Sequence, residues 1–366
     1  MEKVILIYPH KKNLPVRQCD EGLFEMQELV RSAGGKLVSS HEVPLDHPSP
    51  SNYIKQGRLD EIKEEVAVKK ANICIFGVDL SPTQARNIEE YCGARVVDRT
   101  GLILDIFARR ATSREGKLQV ELAQLEYLLP RLVGQGVIMS RLGGGIGTRG
   151  PGEQKLEVDR RKIRDRISHL KKDLEKLRIH RALLRKSRKR RNFFVASLVG
   201  YTNAGKSTLM NQLTGAGVLV EDKLFATLDP RTRLMKGTSV GDILFTDTVG
   251  FLLDLPHDLI ESFKATLEEV KDSDLILHVL DVSHPNFQDH FRVTESVLEE
   301  LECEKNPRFL VLNKMDQLPS GELKERIAER FPKGHFVSAL TGDRIDELRK
   351  AIFNFFEKKR VTSNEN

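Results

Sequence analysis

The chain has 366 residues, of which 39% are apolar, 31% charged and 6% aromatic, with a formal net charge of +6. At roughly 100–200 residues per domain, that length predicts two or three domains, each with its own core. Nothing approaches the ~20-residue apolar run of a membrane span, so a soluble cytoplasmic protein with no membrane anchor is expected.

In chain order, MEKVILIYPHKK has only a short apolar stretch before charge returns, and it does not read as a secretory signal. Within it Val4–Ile7 reads as a strand. EGLFEMQELVRSAGG places Leu23, Met26, Leu29 and Val30 on one helical face. KLVSSHEV reads as a strand, RLDEIKEEVAVKK as a helix, NICIFGVDL as a buried strand and SPTQARNIEEYCG as a capped helix, and ARVVDRTGLILDIFARR closes the region. This alternation predicts a small parallel α/β domain over 1–110. Four scattered cysteines, Cys19, Cys74, Cys92 and Cys303, contain no C-x-x-C pair and read as reduced structural thiols rather than disulfides or a zinc site.

Residues 111–191 change character. Leu118, Leu122, Leu125, Leu129 and Leu132 step by three or four, as do Leu156, Ile163, Ile167, Leu170, Leu174, Leu177 and Leu184 with gaps. Two long amphipathic helices around a Gly-rich loop at 134–152 predict an antiparallel helical hairpin, a coiled-coil-like arm. Residues 153–191 hold 17 Lys/Arg against 6 Asp/Glu, whereas 1–152 carry a net +2 and 192–366 a net −7. So concentrated a positive block predicts a polyanionic partner, nucleic acid before membrane.

From Asn192, the strand FFVASLVG runs straight into GYTNAGKS, and KSTLMNQLTG follows as a helix. DILFTDTVG, SDLILHVLDVS, RFLVLNKMD and GHFVSAL are further strands, and IDELRKAIFNFF is the closing helix. A doubly wound α/β domain is predicted over 192–358, with a tail at 359–366 that has no lipidation box.

GYTNAGKS fits G-x-x-x-x-G-K-[ST] across Gly200, Tyr201, Thr202, Asn203, Ala204, Gly205, Lys206 and Ser207. Glycines let the backbone wrap a phosphate, and the N–H groups at the following helix start supply fixed positive dipoles. Lys206 is expected on the β- and γ-phosphates and the Ser207 hydroxyl on magnesium. Asp247, Thr248, Val249 and Gly250 end a strand as D-x-x-G, where Asp247 can hold magnesium through water and the Gly250 N–H can meet the γ-phosphate. Asn313, Lys314, Met315 and Asp316 follow another strand. Asp316 can accept from guanine N1–H and its 2-amino group together, and adenine has neither donor. The Lys314 stem can lie on the base, and Ser338, Ala339 and Leu340 can offer a backbone N–H to guanine O6. Between the first two motifs, Phe225, Ala226, Thr227, Leu228 and Asp229 form a switch candidate in which Thr227 completes the magnesium shell; Thr232 and Thr208 are rivals. These spacings resemble those of the translation-factor-related P-loop GTPases. Lys206, Thr227 and Gly250 are the candidate catalytic residues. Where many GTPases carry a water-orienting Gln after D-x-x-G, this chain has Phe251, then Leu252 and Leu253. Slow intrinsic hydrolysis, completed by a partner or a rearranged loop, is expected.

GIGTRG, residues 145–150, also fits G-x-G-x-x-G. A dinucleotide turn needs a strand before it and an apolar helix after it. Here SRLGG precedes and Pro151, Gly152 and a basic helix follow. Eight glycines among the 19 residues 134–152, with Arg141 and Arg149 among them, suit an RNA-facing tip, with a plain linker as the alternative.

With these residues in view, the chain resembles the HflX family of ribosome-associated GTPases over essentially its whole length. VVDRTGLILDIFARRATSREGKLQVELAQLEYLLPRLVG (96–134) is similar to the family's junction between N-terminal domain and arm. RLGGGIGTRGPGEQKLEVDRRKI (141–163) is the most specific segment, and FATLDPRTR and DTVGF match the family's G-domain motifs. The resemblance implies a cytoplasmic GTPase, monomeric, that binds GTP and GDP with Mg2+ on Ser207 and Thr227. It further implies docking on the large ribosomal subunit and its RNA, and a role in rescuing or dissociating stalled or idle ribosomes under stress. GTP-gated docking or assembly without splitting is the alternative. Family proposals of ATP use by the N-terminal domain are not carried over, because residues 1–140 contain no Walker-type loop.

Overall fold

The computed structural model describes residues 2–132, 151–190, 193–215, 224–238, 241–252, 269–318 and 321–364. The chain divides into two compact units, Met1–Glu175 and Lys176–Asn366.

In the first unit, β1 (Lys3–Lys11), β2 (Lys36–Leu45), β3 (Ile73–Phe76) and β4 (Arg95–Val97) make an all-parallel sheet in the order β2-β1-β3-β4. The helices α1 (Val16–Ser32), α2 (Gln56–Lys69), α3 (Pro82–Cys92) and α4 (Arg99–Arg110) connect and extend these strands. Every residue of β3, ICIF, is buried, as a strand covered on both faces requires. The start of α3 is set by a capping box between Ser81 and Gln84.

The segment ARVVDRTGLILDIFARR resolves into β4 and α4, and Asp98 marks the break. Its carboxylate accepts from the Gly101 N–H (2.8 Å), capping α4. It also accepts from the Tyr127 hydroxyl (2.7 Å) and the Arg131 guanidinium (2.6 Å) of α5 (Arg114–Arg131). One buried carboxylate thus ends a strand, starts a helix and holds the next helix.

The helical region comprises α5 and α6 (Pro151–Arg190). Arg166 of α6 donates two bonds to Glu121 of α5 at 2.7 and 2.8 Å, and Lys171 pairs with Glu126 at 2.8 Å. Pro151 occupies the first position of α6, where its missing N–H costs nothing. Most of the predicted Gly-rich loop, including GIGTRG, lies outside the described residues.

The second unit carries a six-stranded sheet in the order β10-β9-β8-β5-β7-β6. Its strands are β5 (Phe194–Val199), β6 (Arg231–Thr238), β7 (Gly241–Asp247), β8 (Leu275–Asp281), β9 (Arg308–Asn313) and β10 (His335–Phe336). All pairs are parallel except β6 with β7. The edge strand β6 had no counterpart in the sequence reading; its run RTRLMKGT has a weak apolar alternation, as an edge strand permits.

Helices α7 (Lys206–Thr214) and α10 (Ile345–Asn364) bury Leu209, Leu213, Leu348 and Phe356 in one core with Leu198, Phe245 and Leu277. Helices α8 (Phe287–Glu300) and α9 (Gly321–Arg330) supply Phe287 and Ile327 to a second core with Leu280 and Leu312. Two separate cores on one sheet are the mark of a doubly wound fold. Helix α10 runs on to Asn364, so residues 359–364 of the predicted tail are helical. From β5 the chain goes to β7 on one side and β8 on the other. The turn after β5 is therefore the topological switch point, where such sheets bind ligands.

Candidate nucleotide site

That turn is GYTNAGKS. Two of its positions require glycine. Gly200 has φ 151° and a Cβ there would lie 2.2 Å from the Val279 carbonyl oxygen; Gly205 has φ 90° and its Cβ would lie 2.3 Å from Asn313 Nδ2. The turn delivers Lys206 as the first residue of α7, so the helix's unpaired N–H groups open at the end of β5. Lys206 is 6% exposed, and its Nζ donates to the carbonyls of Gly200 (3.0 Å) and Tyr201 (2.8 Å). Burial pulls its pKa down to about 8, against the opposing pull of Asp247.

Beside Lys206 three oxygens from three motifs converge. Ser207 Oγ donates to Asp247 Oδ2 at 2.6 Å and Thr227 Oγ1 to the same oxygen at 3.1 Å, while the two hydroxyls stand 3.0 Å apart. Burial pushes the Asp247 carboxyl upward; Lys206, Ser207 and Thr227 pull it back. Asp247 Oδ1 is buried with no hydrogen-bond partner among the described residues. Hard oxygen donors around an orphaned buried carboxylate oxygen suit Mg2+ in kind. The rival Thr232 lies on β6 with its hydroxyl against that of Thr246 at 3.2 Å.

Thr202 holds both the switch candidate at 225–229 and the residue after D-x-x-G. The N–H of Phe225, a residue with φ 54° and buried, donates to Thr202 Oγ1 at 2.9 Å. The Thr202 N–H donates to the Phe251 carbonyl at 2.7 Å, and the Phe251 N–H returns to the Gly200 carbonyl at 3.1 Å. This one-residue parallel bridge presses Gly250 onto the turn: a Cβ at Gly250 would lie 2.6 Å from Thr202 Cα. Leu228 and Val249 are buried, and the Thr248 hydroxyl donates to the Leu198 carbonyl at 2.8 Å. Phe251 and Leu252, where a water-orienting Gln would stand, are 2% and 1% exposed.

At the far end Asn313 is buried and binds two loops. Its Nδ2 donates to the Ala204 carbonyl (2.8 Å), and its Oδ1 accepts from the Ala339 N–H (3.0 Å). The Ser338 N–H donates to the Asp343 carbonyl at 3.0 Å, so Leu340, 72% exposed, is the member of that triplet open to a ligand. Lys314 adopts φ 61° and pairs with Asp281 at 2.7 Å; the Met315 N–H donates to the Val337 carbonyl at 3.2 Å. Asp316 is exposed.

Sequence reasoning missed Asp281, which ends β8 directly beside Asn313 in the parallel register. A charged residue closing an otherwise apolar strand at the ligand end of such a sheet was the available signal. It also missed the packing of Tyr201 on His290 of α8, with ring centroids 3.7 Å apart and nearly coplanar. Burial holds His290 neutral, with its pKa pulled down to about 3.

A phosphate turn, a metal-type oxygen cluster and an Asn-Lys-x-Asp run directly after β9, on a doubly wound sheet, define a P-loop GTPase. Family models agree over three stretches. Residues 20–108 match the GTP-binding GTPase N-terminal model, 110–188 the GTP-binding GTPase middle region, and 195–314 the 50S ribosome-binding GTPase model. The GTPase HflX of Caldanaerobacter subterraneus is 50% identical over 348 residues, 94% of this chain and 79% of that one. The GTPase HflX of Escherichia coli is 45% identical over 91% of this chain and 78% of its own length. The chain belongs to the HflX GTPase family and is a GTP hydrolase. Among solved structures it resembles a GTP-binding protein from the archaeon Sulfolobus solfataricus in complex with GDP. That likeness has 25% identity and a TM-score of 0.52, and covers 98% of this chain and 99% of the other. No described helix is long and apolar enough to cross a membrane.

Proposed function

We propose that the chain is a cytoplasmic, monomeric GTPase that docks on the large ribosomal subunit and couples GTP hydrolysis to dissociation or rescue of stalled or idle ribosomes. The division of labour follows the predicted domains, with an α/β domain at 1–110, an RNA-facing arm at 111–191 and catalysis at 192–358. Residues 200–207, 225–229, 247–250, 313–316 and 338–340 line the nucleotide. Lys206 leaves the turn carbonyls for the β- and γ-phosphates. Ser207 and Thr227, with Asp247 behind them, hold Mg2+, which supplies charge stabilisation to the phosphate oxygens. The Gly250 N–H meets the γ-phosphate. The apolar Phe251 and Leu252, both buried after D-x-x-G, cannot orient water, so the ribosome supplies or arranges that group.

The observation that carries the ribosome reading is the basic, solvent-facing α6. Arg161, Lys162, Arg164, Lys171 and Lys172 are all exposed. Some of that charge is already used: Arg166 and Lys171 bridge to α5, and Arg160 and Arg164 share Glu157. Arg161 and Lys172 make no ion pair among the described residues and are the better probes. Reversing both to Glu should weaken co-sedimentation with large subunits and leave GTP affinity intact. Unchanged co-sedimentation would reduce the basic face to solvated surface. Sucrose gradients of intact ribosomes with purified protein and GTP then separate the two outcomes: free subunits support splitting, and co-sedimentation without dissociation supports the docking alternative.

A further inference from the structure

In the first unit, remote from every GTPase motif in sequence, three side chains from three elements meet. His10 lies near the end of β1, Cys19 in the first turn of α1, and Glu42 on β2, whose backbone pairs with Tyr8 in the register. One ligand atom from each lies within 4.8 Å of the other two. Cys19 is 4% exposed, His10 is half-buried and Glu42 is exposed, so the cluster is rooted in the core and open on one side.

The chemistry of this trio is unlike that of a chance surface cluster. It offers one nitrogen, one sulfur and one carboxylate oxygen, each a zinc ligand type, and three protein ligands leave a fourth tetrahedral position open. The Cys19 Sγ–Glu42 Oε2 separation is 3.6 Å. With metal–sulfur and metal–oxygen bonds of about 2.3 and 2.0 Å, the S–O edge of a tetrahedron is about 3.5 Å. His10 Nδ1 stands 3.0 Å from the Lys11 carbonyl oxygen. Donating there fixes the tautomer and leaves Nε2 with its lone pair, the arrangement by which metal-bound histidines are oriented. The Tyr8 ring lies alongside His10, with centroids 6.1 Å apart. Without a cation, burial and the Glu42 charge push the Cys19 thiol up to about 11. A bound dication reverses that balance.

We propose that His10, Cys19 and Glu42 form a binding site for a tetrahedral, borderline-soft divalent cation of the zinc class, with water as the fourth ligand. On binding, the Cys19 thiol gives its proton to solvent and the thiolate bonds to the metal. The cation then ties the start of α1 to β1 and β2, joining the first three elements of the unit.

The test uses the full chain, freed of transition metals by chelation and then saturated with Mg2+ and GDP so that the nucleotide site is filled. Titration with Co2+ should give one equivalent of binding, with tetrahedral visible bands, a sulfur-to-cobalt charge-transfer band, and displacement by Zn2+. Cys19→Ser should abolish the charge-transfer band, and His10→Ala and Glu42→Gln should each weaken binding by about tenfold or more. Cys92→Ser, which alters another buried thiol, should change nothing. Circular dichroism and GDP affinity confirm that each variant is folded. A charge-transfer band that survives Cys19→Ser, or no saturable binding at micromolar Co2+ by the folded wild-type chain, would overturn the assignment.

Discussion

The two ends of the nucleotide site are built differently. At the phosphate end the charged and polar groups bond to one another, with one oxygen left over: Lys206 bonds to turn carbonyls, Ser207 and Thr227 share Asp247 Oδ2, and Asp247 Oδ1 has no partner among the described residues. At the base end the proposed recognising group, Asp316, stands exposed, while the buried Asn313 ties Ala204 to Ala339. The contrast follows from what each end must bind. Phosphates bring charge, so the protein holds compensating charge in a low-dielectric place where it acts strongly. A guanine edge brings neutral donors, so a rigid carboxylate at the rim is enough. Phosphates therefore contribute affinity, and the base contributes choice.

Removing the central cation should produce the largest effect. Lys206→Ala deletes charge-assisted bonds to two phosphates, each worth about 1.5–3 kcal/mol, so GTP affinity should fall by about 100-fold or more in calorimetry. Unaltered affinity would sink the assignment of the turn. The base end should respond by exchange of preference. Asp316→Asn loses the double acceptor for N1–H and the 2-amino group and should cost roughly 30-fold in GTP affinity, while its amide can donate to the 2-oxo group of xanthine. Competition between GTP and XTP reads this directly, and loss of both equally would show that Asp316 acts through folding.

Much of this was legible because each group belongs to a short motif whose chemistry dictates its residue types. Lys206, Ser207 and Asp247 come together after β5, and Asp316 stands exposed after β9. The loop-like flanks from Lys223 to Pro230 favour Thr227 over Thr232 in the sequence. In the fold, one hydroxyl reaches Asp247 and the other faces Thr246 across the β6–β7 pair. Asp281, Thr202 and the His10–Cys19–Glu42 cluster were illegible in the sequence. Their meaning comes from partners 20 or more residues away, such as Phe225 for Thr202 and Glu42 for Cys19. Alternation in the first unit was readable, but the boundary within ARVVDRTGLILDIFARR was not, because Asp98 fixes it through bonds to α5.

Acidity separates the two ends again. Burial lowers the Lys206 pKa to about 8, and bound phosphates would raise it. Above pH 8 the free site has lost its proton and binding must take one up, so affinity falls as pH rises. From pH 7 to pH 9 the loss should be about tenfold, followed with a fluorescent GDP analogue. Asp316→Asn, at the other end of the site, should leave the slope unchanged. A flat profile would show that Lys206 keeps its charge despite its burial.

The smallest expected effect isolates the joint between the turn, the switch candidate at 225–229 and Phe251. Thr202 meets Phe225 through its side chain and Phe251 through its backbone. Thr202→Ala removes only the first contact, leaving the buried Phe225 N–H without an acceptor at a cost of about 1 kcal/mol. Amide exchange at Phe225 should therefore speed up about fivefold, while the Phe251 amide, bonded to the Gly200 carbonyl, keeps its protection. If both amides lose protection together, the two segments open as one unit, and Thr202 couples them rather than holding each separately.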